Sequence, residues 1–167
     1  MNDSVSVIIP TYNRPQSLSR AIKSVLVQTH KNYEILVIND SDDEKPVLEV
    51  IENFNDNRIK YFNNERVKGG NGARNTGIIK SKGEYIAFLD DDDEWLPDKI
   101  KNQIKYLTDK KSNYSGVFGA FLLQKKNRWI AQSYNTNCLK IENVLTDKIS
   151  IGSSSNLIFE RKIFRDI

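Results

Sequence analysis

The chain has 167 residues, 38% hydrophobic and 28% charged, a composition typical of one folded domain rather than a disordered chain. Its 25 basic and 22 acidic residues give a net charge of +3, which is too balanced to indicate nucleic-acid binding. A single cysteine, Cys138, excludes an intrachain disulfide. No apolar run reaches the ~18–20 residues that cross a bilayer, and the N-terminus lacks signal-peptide character. We therefore expect a cytoplasmic protein, with peripheral attachment at the inner face of a membrane left open.

Strand and helix patterns alternate over the first 110 residues. Short apolar runs predict strands at 5–9, 34–38, 58–62 and 85–89, the first ending at Pro10. Apolar residues at helical spacing predict helices at 18–26, 47–54, 73–80 and 100–107. This alternation predicts an α/β fold, Rossmann-like, with a mostly parallel sheet flanked by helices on both faces.

The pattern changes after Gly116. Residues 117–123 predict one more strand, and residues 128–131 are placed to pair with it as a hairpin. Residues 156–159 predict a late strand, which follows a Gly-Ser-Ser-Ser segment and precedes a helical start near Glu160. The region from 116 to 167 therefore departs from the regular alternation of strand and helix.

Polar residues follow each of the four predicted parallel strands. Because ligands of such sheets bind outside the carboxyl ends of the strands, we expect these residues to form one site. They are Pro10-Thr11-Tyr12-Asn13-Arg14, Asp40, the glycine turn Gly69-Gly70-Asn71-Gly72 with Arg74, and the run Asp90-Asp91-Asp92-Asp93.

The aspartate run is the most informative of these clusters. Adjacent carboxylates repel one another by about 1 kcal/mol per close pair in water, and by more where the dielectric constant is lower. A divalent cation such as Mg²⁺ or Mn²⁺ would remove this repulsion, since both prefer oxygen ligands. The alternative is that Asp93 and Glu94 cap the following helix, which would explain one or two acids but not four.

The other clusters suit a nucleotide. Tyr12 offers a flat face and a hydroxyl, and Asp40 could accept a hydrogen bond from a base. The glycine turn allows close backbone approach, and the helix that follows favours phosphate at its N-terminus. Arg14 and Arg74 could supply positive charge against a diphosphate.

Four stretches of the chain resemble family 2 glycosyltransferases with the GT-A fold: VSVIIPTYNR at 5–14, YEILVINDSDD at 33–43, GARNTG at 72–77 and GEYIAFLDDDDEWLPDK at 83–99. The resemblance implies a nucleotide-diphosphate sugar donor, most often a UDP-sugar. By motif position Thr11, Tyr12 and Asp40 look like uracil contacts, Asp90 and Asp91 match positions near ribose and sugar, and Asp92 matches the ligand of a Mn²⁺ or Mg²⁺ ion in the Asp-x-Asp motif. We therefore expect the nucleotide at Pro10, Thr11, Tyr12, Asn13, Arg14, Asp40, Asn71, Arg74, Asp90 and Asp91.

The resemblance also implies inverting transfer to an acceptor hydroxyl of a glycan or lipid-linked glycan. Family members carry the catalytic carboxylate further downstream, and neither Glu160 nor Asp166 matches it. We expect a single, truncated GT-A domain over 1–167, in which 1–115 binds the nucleotide-sugar, 116–167 forms part of the acceptor side, and the base lies beyond Ile167. A second departure is Asn39-Asp40-Ser41-Asp42 in place of the commoner Asp-Asp-Gly-Ser, which leaves the base contact to Asp40 alone.

Other functions remain open at this point. The chain could be a non-catalytic nucleotide-sugar-binding module that lacks the base, or a nucleotidyltransferase on a related sheet. Phosphoaspartyl switches and Asp-x-Asp phosphatases would need acidic residues after the first strand, where this chain has Thr11-Tyr12-Asn13.

Overall fold

The computed structural model describes residues 3–109, 114–125, 128–132 and 153–165. Strands and helices alternate over its first part, as the sequence predicts. The elements are β1 (Val5–Thr11), α1 (Pro15–Leu26), β2 (Tyr33–Asn39), α2 (Lys45–Phe54), β3 (Ile59–Asn63), α3 (Gly70–Lys80), β4 (Tyr85–Phe88), α4 (Lys99–Leu107), β5 (Gly116–Phe118), β6 (Phe121–Lys125), β7 (Arg128–Gln132) and β8 (Leu157–Glu160). Two short 3-10 helices, Ser154–Asn156 and Arg161–Phe164, flank β8.

A six-stranded sheet has the order β3-β2-β1-β4-β8-β5. Strands β1 to β4 are mutually parallel, whereas β8 runs antiparallel to both β4 and β5. The predicted α/β fold with a mostly parallel sheet is therefore confirmed. Strands β6 and β7 form a separate antiparallel pair, so the predicted hairpin is also confirmed.

The central strands are buried on both faces because helices cover each side. On one face, Val5, Val7 and Ile9 of β1 belong to a core that includes α1, α2 and α4. On the other face, Ile8 of β1 belongs to a second core that includes Ala73 of α3. This double burial explains why β1 and β2 are almost continuously apolar instead of alternating.

Three predicted boundaries were wrong. Strand β1 continues through Pro10 to Thr11, because the pairing with β4 stops at Ile8 and only β2 accompanies Pro10. The glycine turn is not all outside α3, since the helix begins at Gly70. Residues 117–123 form parts of two strands in different sheets, because the chain leaves the large sheet at Gly119, whose N–H donates to Asn156.

Trp95 packs in the core. It is 7% exposed, and its indole Nε1–H donates to the Ser155 carbonyl oxygen at 2.7 Å. Cys138 and the rest of residues 133–152, which belong to the predicted acceptor-side region, lie outside the described residues. Within the described part of the chain, no helix has both the length and the apolar character needed to span a bilayer.

Candidate nucleotide-sugar site

A cleft of about 310 Å³ opens at the carboxyl edge of the parallel strands. It brings together residues that are far apart in the sequence, as the strand topology predicts. Its lining is Pro10, Thr11, Tyr12, Arg14, Asp40, Gly70, Ala73, Arg74, Asp90, Asp91 and Asp92. A second cavity of about 450 Å³ adjoins it at Gly70 and Arg74 and includes Asn71.

Of the residues predicted to contact nucleotide, Asn13 is the one that lines neither cavity. Its side-chain oxygen accepts a hydrogen bond from the Ser41 hydroxyl at 2.7 Å, and its φ of 55° is in the left-handed region. Asn13 therefore fixes the loop after β1 against the loop after β2. Its role as a direct nucleotide contact stays a prediction.

Asp91 is the most buried acid of the aspartate run. Its Oδ2 accepts the Thr11 hydroxyl at 2.8 Å, and its Oδ1 accepts Arg14 Nη1 at 3.2 Å. Burial raises the pKa of Asp91, against the opposing effects of the Thr11 hydrogen bond and the Arg14 charge. The carboxylate thus ties the end of β1 to the end of β4 and forms the floor of the cleft.

Asp92 lines the same cleft, and its side chain is 58% exposed. Its Oδ2 accepts the same Arg14 Nη1 at 2.8 Å. Since both partners of this ion pair are more than half exposed, the pair contributes at most about 1 kcal/mol to stability. Asp92 is therefore the carboxylate of the run that is freest to bind something else.

Asp90 faces α3 and the late 3-10 helix. It forms an ion pair with Arg74 of α3, and both of its oxygens lie within 3.0 Å of the Ser154 hydroxyl. The Ser153 hydroxyl lies 2.9 Å from Asp93 Oδ2 and 3.3 Å from Asp90 Oδ2. These serines are functional candidates that the sequence analysis missed, because they lie sixty or more residues away in the chain.

Asp40 already has donors on both carboxylate oxygens. Asn64 Nδ2 donates to Oδ1 at 2.6 Å, and the Gly69 N–H donates to Oδ2 at 2.7 Å. Gly69 has a φ of 121°, which a side chain would disfavour, so glycine permits this contact. An ionised carboxylate has about four lone-pair sites, and Asp40 therefore keeps the capacity to accept a further hydrogen bond.

Tyr12 is 56% exposed at the mouth of the cleft, and its ring is available for stacking. On the opposite side, α3 presents its N-terminus at Gly70. The free N–H groups of such a terminus favour an anion. The cleft therefore offers an aromatic face, hydrogen-bond acceptors and a phosphate-compatible helix end within one cavity.

The helix-capping explanation of the aspartates was wrong. Helix α4 begins at Lys99, several residues beyond Asp93 and Glu94, and its N-cap residue Asp98 makes no side-chain capping bond. The four acids instead contact the cleft, Arg14, Arg74 and the serines.

Metal-ligating side chains are few in this cleft. Within the described ranges, no three His, Cys, Asp or Glu side chains are grouped closely enough to hold an ion by themselves. Mg²⁺ sites commonly use one or two carboxylates together with substrate phosphates and water. Asp92, exposed and an oxygen donor, fits that kind of site, and the predicted metal stays a prediction.

Comparison with known proteins gives the family. The model of the family described as "Glycosyl transferase family 2" matches residues 6–167, nearly the whole chain. The chain belongs to glycosyl transferase family 2. This confirms the family that the sequence motifs indicated.

Two bacterial relatives of this family 2 chain have specific names. One is the Escherichia coli UDP-Glc:alpha-D-GlcNAc-diphosphoundecaprenol beta-1,3-glucosyltransferase WfgD, 42% identical over 74% of this chain and 47% of its own length. The other is the Campylobacter jejuni GalNAc(5)-diNAcBac-PP-undecaprenol beta-1,3-glucosyltransferase, 37% identical over 86% of this chain and 46% of its own length. The chain thus spans slightly less than half of either relative.

Solved structures agree on the family 2 fold. The crystal structure of Staphylococcus aureus TarS 1–349 has a TM-score of 0.75 at 21% identity, covering 98% of this chain and 48% of that one. The Pyrobaculum calidifontis mannosyltransferase PcManGT, in complex with GDP-Man and Mn²⁺, has a TM-score of 0.61 at 25% identity, covering 69% and 34%. The GT-A fold expected from the sequence is therefore confirmed.

Proposed function

We propose that this chain binds a UDP-sugar in the cleft and forms the donor-binding part of an inverting, divalent-cation-dependent glycosyltransferase. One observation carries the proposal: a single cavity is lined by Tyr12, Asp40, Arg74 and three acids of the aspartate run, Asp90, Asp91 and Asp92. An aromatic face and Asp40 suit the uracil, and the α3 N-terminus and the two arginines suit the diphosphate. The relative WfgD, whose name specifies UDP-Glc, supports uridine as the base.

The acceptor is proposed from the same relatives. Both the WfgD name and the Campylobacter name specify an undecaprenol-linked acceptor, so a lipid-linked glycan in polysaccharide synthesis is the acceptor we propose. A lipid-linked acceptor would place the protein in the cytoplasm at the inner face of a membrane, attached peripherally.

Each group of the cleft has a task in this function. Asp91, held by Thr11 and Arg14, fixes the end of β4 so that Asp92 stands exposed above it. A bound Mn²⁺ or Mg²⁺ would be held by Asp92 and would supply Lewis-acid stabilisation of charge on the departing nucleoside diphosphate. Arg14 and Arg74 would contribute positive charge from the protein side, and the acceptor hydroxyl would attack from the opposite face of the sugar.

The second candidate is donor binding without transfer. It is supported by the cleft itself, whose charged and aromatic residues all have proposed tasks in binding the donor or its metal ion. General-base help contributes about 100-fold to 10,000-fold to the transfer rate, and none of the described residues has that role in the proposed site. A transfer assay with a lipid-linked acceptor separates the candidates, because the binding module would bind UDP-sugar and release no glycosylated product.

Calorimetric titration of UDP in the presence of Mn²⁺ tests the proposal. We expect the wild-type chain to bind UDP and Asp92→Asn to lose the Mn²⁺-dependent part of the affinity while keeping the wild-type circular dichroism spectrum. Glu49→Gln, which removes one acid from the exposed side of α2, is the matched control and should bind as wild type. Equal affinity of Asp92→Asn and wild type would contradict the assignment of Asp92.

A donor screen read by thermal shift tests the base. A ligand at a hundred times its Kd stabilises a protein by about 2.7 kcal/mol, which corresponds to roughly 5–10 °C for a domain of this size. We expect that shift with UDP-sugars, and smaller shifts with GDP-sugars and dTDP-sugars at the same concentration. A larger shift with GDP-sugars would overturn the uridine assignment.

A further inference from the structure

A turn at Ser153–Ser155 contacts the aspartate run from the far end of the chain. Its backbone is stabilised locally, because the Ser153 hydroxyl accepts the Ser155 N–H at 3.1 Å. It is also stabilised by the core, because the indole N–H of the buried Trp95 donates to the Ser155 carbonyl oxygen. These two hydrogen bonds fix the backbone of the turn and attach it to the core.

Strand topology places this turn at the aspartates. Strand β8 runs antiparallel to β4, with Ala87 opposite Ile158, so the beginning of β8 lies beside the end of β4. Continuing that register brings Asp90 opposite Ser155, and the Asp90 N–H donates to the Ser155 hydroxyl at 2.9 Å. The serines therefore reach the first aspartate through its backbone as well as its side chain.

The hydroxyls act on two separate carboxylates. Ser154 lies within hydrogen-bond distance of both Asp90 oxygens and accepts Arg74 Nη2 at 3.1 Å, so it bridges the ion pair. Ser153, which has one proton to donate, lies closer to Asp93 than to Asp90. Hydrogen bonds to charged groups are about twice as strong as neutral ones, and these counteract the repulsion between neighbouring carboxylates.

We infer that the Ser153–Ser155 turn is a positioning element of the donor site: it fixes the Asp90 carboxylate on Arg74 and draws Asp93 aside, so that Asp92 is left exposed toward the diphosphate. The inference rests on the proposed function and deepens it. Ser154 is a positioning residue, because it acts on the donor through Asp90 and Arg74.

Two variants at one position isolate the hydroxyl. Ser154→Ala removes the bridge between Asp90 and Arg74, and Ser154→Thr keeps a hydroxyl at the same place. We expect Ser154→Ala to bind UDP with Mn²⁺ about threefold to tenfold more weakly than wild type, and Ser154→Thr to recover most of the affinity. Equal affinity of wild type and Ser154→Ala, or equal weakness of both variants, would overturn the inference.

A second measurement needs no nucleotide. In the free protein we expect slow hydrogen exchange at the Asp90 amide and faster exchange in Ser155→Ala, whose side chain cannot accept that N–H. An unprotected Asp90 amide in the wild-type protein would show that the turn is not docked and would also overturn the inference. If exchange behaves as expected but the wild-type chain binds no nucleotide-sugar, the proposed function fails and the docked turn stands.

Discussion

The hydrogen bond between Thr11 and Asp91 connects the end of β1 to the segment after β4 at the cleft, and its contribution to stability can be measured. Thr11 is 3% exposed, and its hydroxyl donates to a carboxylate that is almost as buried. Thr11→Val keeps the β-branched shape that suits strand β1 and removes only the donor. Asp91 then keeps the Arg14 contact and the Tyr12 N–H but loses the shorter of its two side-chain hydrogen bonds.

The magnitude follows from two opposing effects. A hydrogen bond to a charged group contributes about 1.5–3 kcal/mol, and a buried methyl in place of the hydroxyl returns about 0.8 kcal/mol. We therefore expect Thr11→Val to lower the free energy of unfolding by about 1–2 kcal/mol. For a chain of this size that lowers Tm by roughly 2–8 °C.

Urea denaturation in the presence of a metal chelator measures the change, and a double-mutant cycle with Asp91→Ala assigns it to this pair. In the Asp91→Ala background the Thr11 hydroxyl has lost its acceptor, so the valine substitution should be neutral or stabilising. The reasoning is refuted if Thr11→Val costs less than about 0.5 kcal/mol in the wild-type background, or if it costs the same in both backgrounds.

Two further predictions concern the supports of the cleft. Gly72→Ala places a Cβ 1.9 Å from the Val67 carbonyl oxygen, so we expect urea denaturation to show a loss of about 1–3 kcal/mol, whereas a free helical site would gain about 1 kcal/mol. Asn75→Ala, exposed on the same helix, is its control, and stabilisation of Gly72→Ala would contradict the packing. Burial holds the pKa of Lys99 well below its usual range, so unfolding takes up a proton and stability should rise with pH toward the ordinary lysine pKa of about 10.4. Lys99→Met should show a flatter pH profile, and parallel profiles of the two proteins would refute this reasoning.

Much of the fold could be predicted because its signals are local. The apolar runs of β1 and β2 and the helical spacing of Leu18, Ala21, Ile22 and Val25 each depend on neighbours within a few residues. Pro10 was misleading because a proline is tolerated where the sheet pairs with it on one side only, and the sequence does not show where β4 ends. The break at Gly119 depends on Asn156, which is too distant in sequence to be recognised from a local pattern.

The site was predictable as a set of residues but not as a set of contacts. Parallel strands carry their carboxyl ends to one edge, so the cluster containing Thr11, Asp40 and Asp90 followed from chain order alone. The Ser153–Ser155 turn could not be found this way, because it reaches the same edge through an antiparallel strand that starts there. An antiparallel neighbour of β4 places its N-terminal residues at the site, and the apolar run at 156–159 shows neither its direction nor its partner strand.

The aspartate run needs a different explanation from the one that its sequence suggests. Four adjacent carboxylates seemed to require a divalent cation, yet the protein supplies its own positive charges and donors to them. Arg74 and Ser154 stabilise Asp90, Thr11 and Arg14 stabilise Asp91, and Ser153 contacts Asp93. Repulsion alone therefore does not demand a metal. The metal proposal depends instead on Asp92, which is the most exposed of the four and shares its single arginine with Asp91.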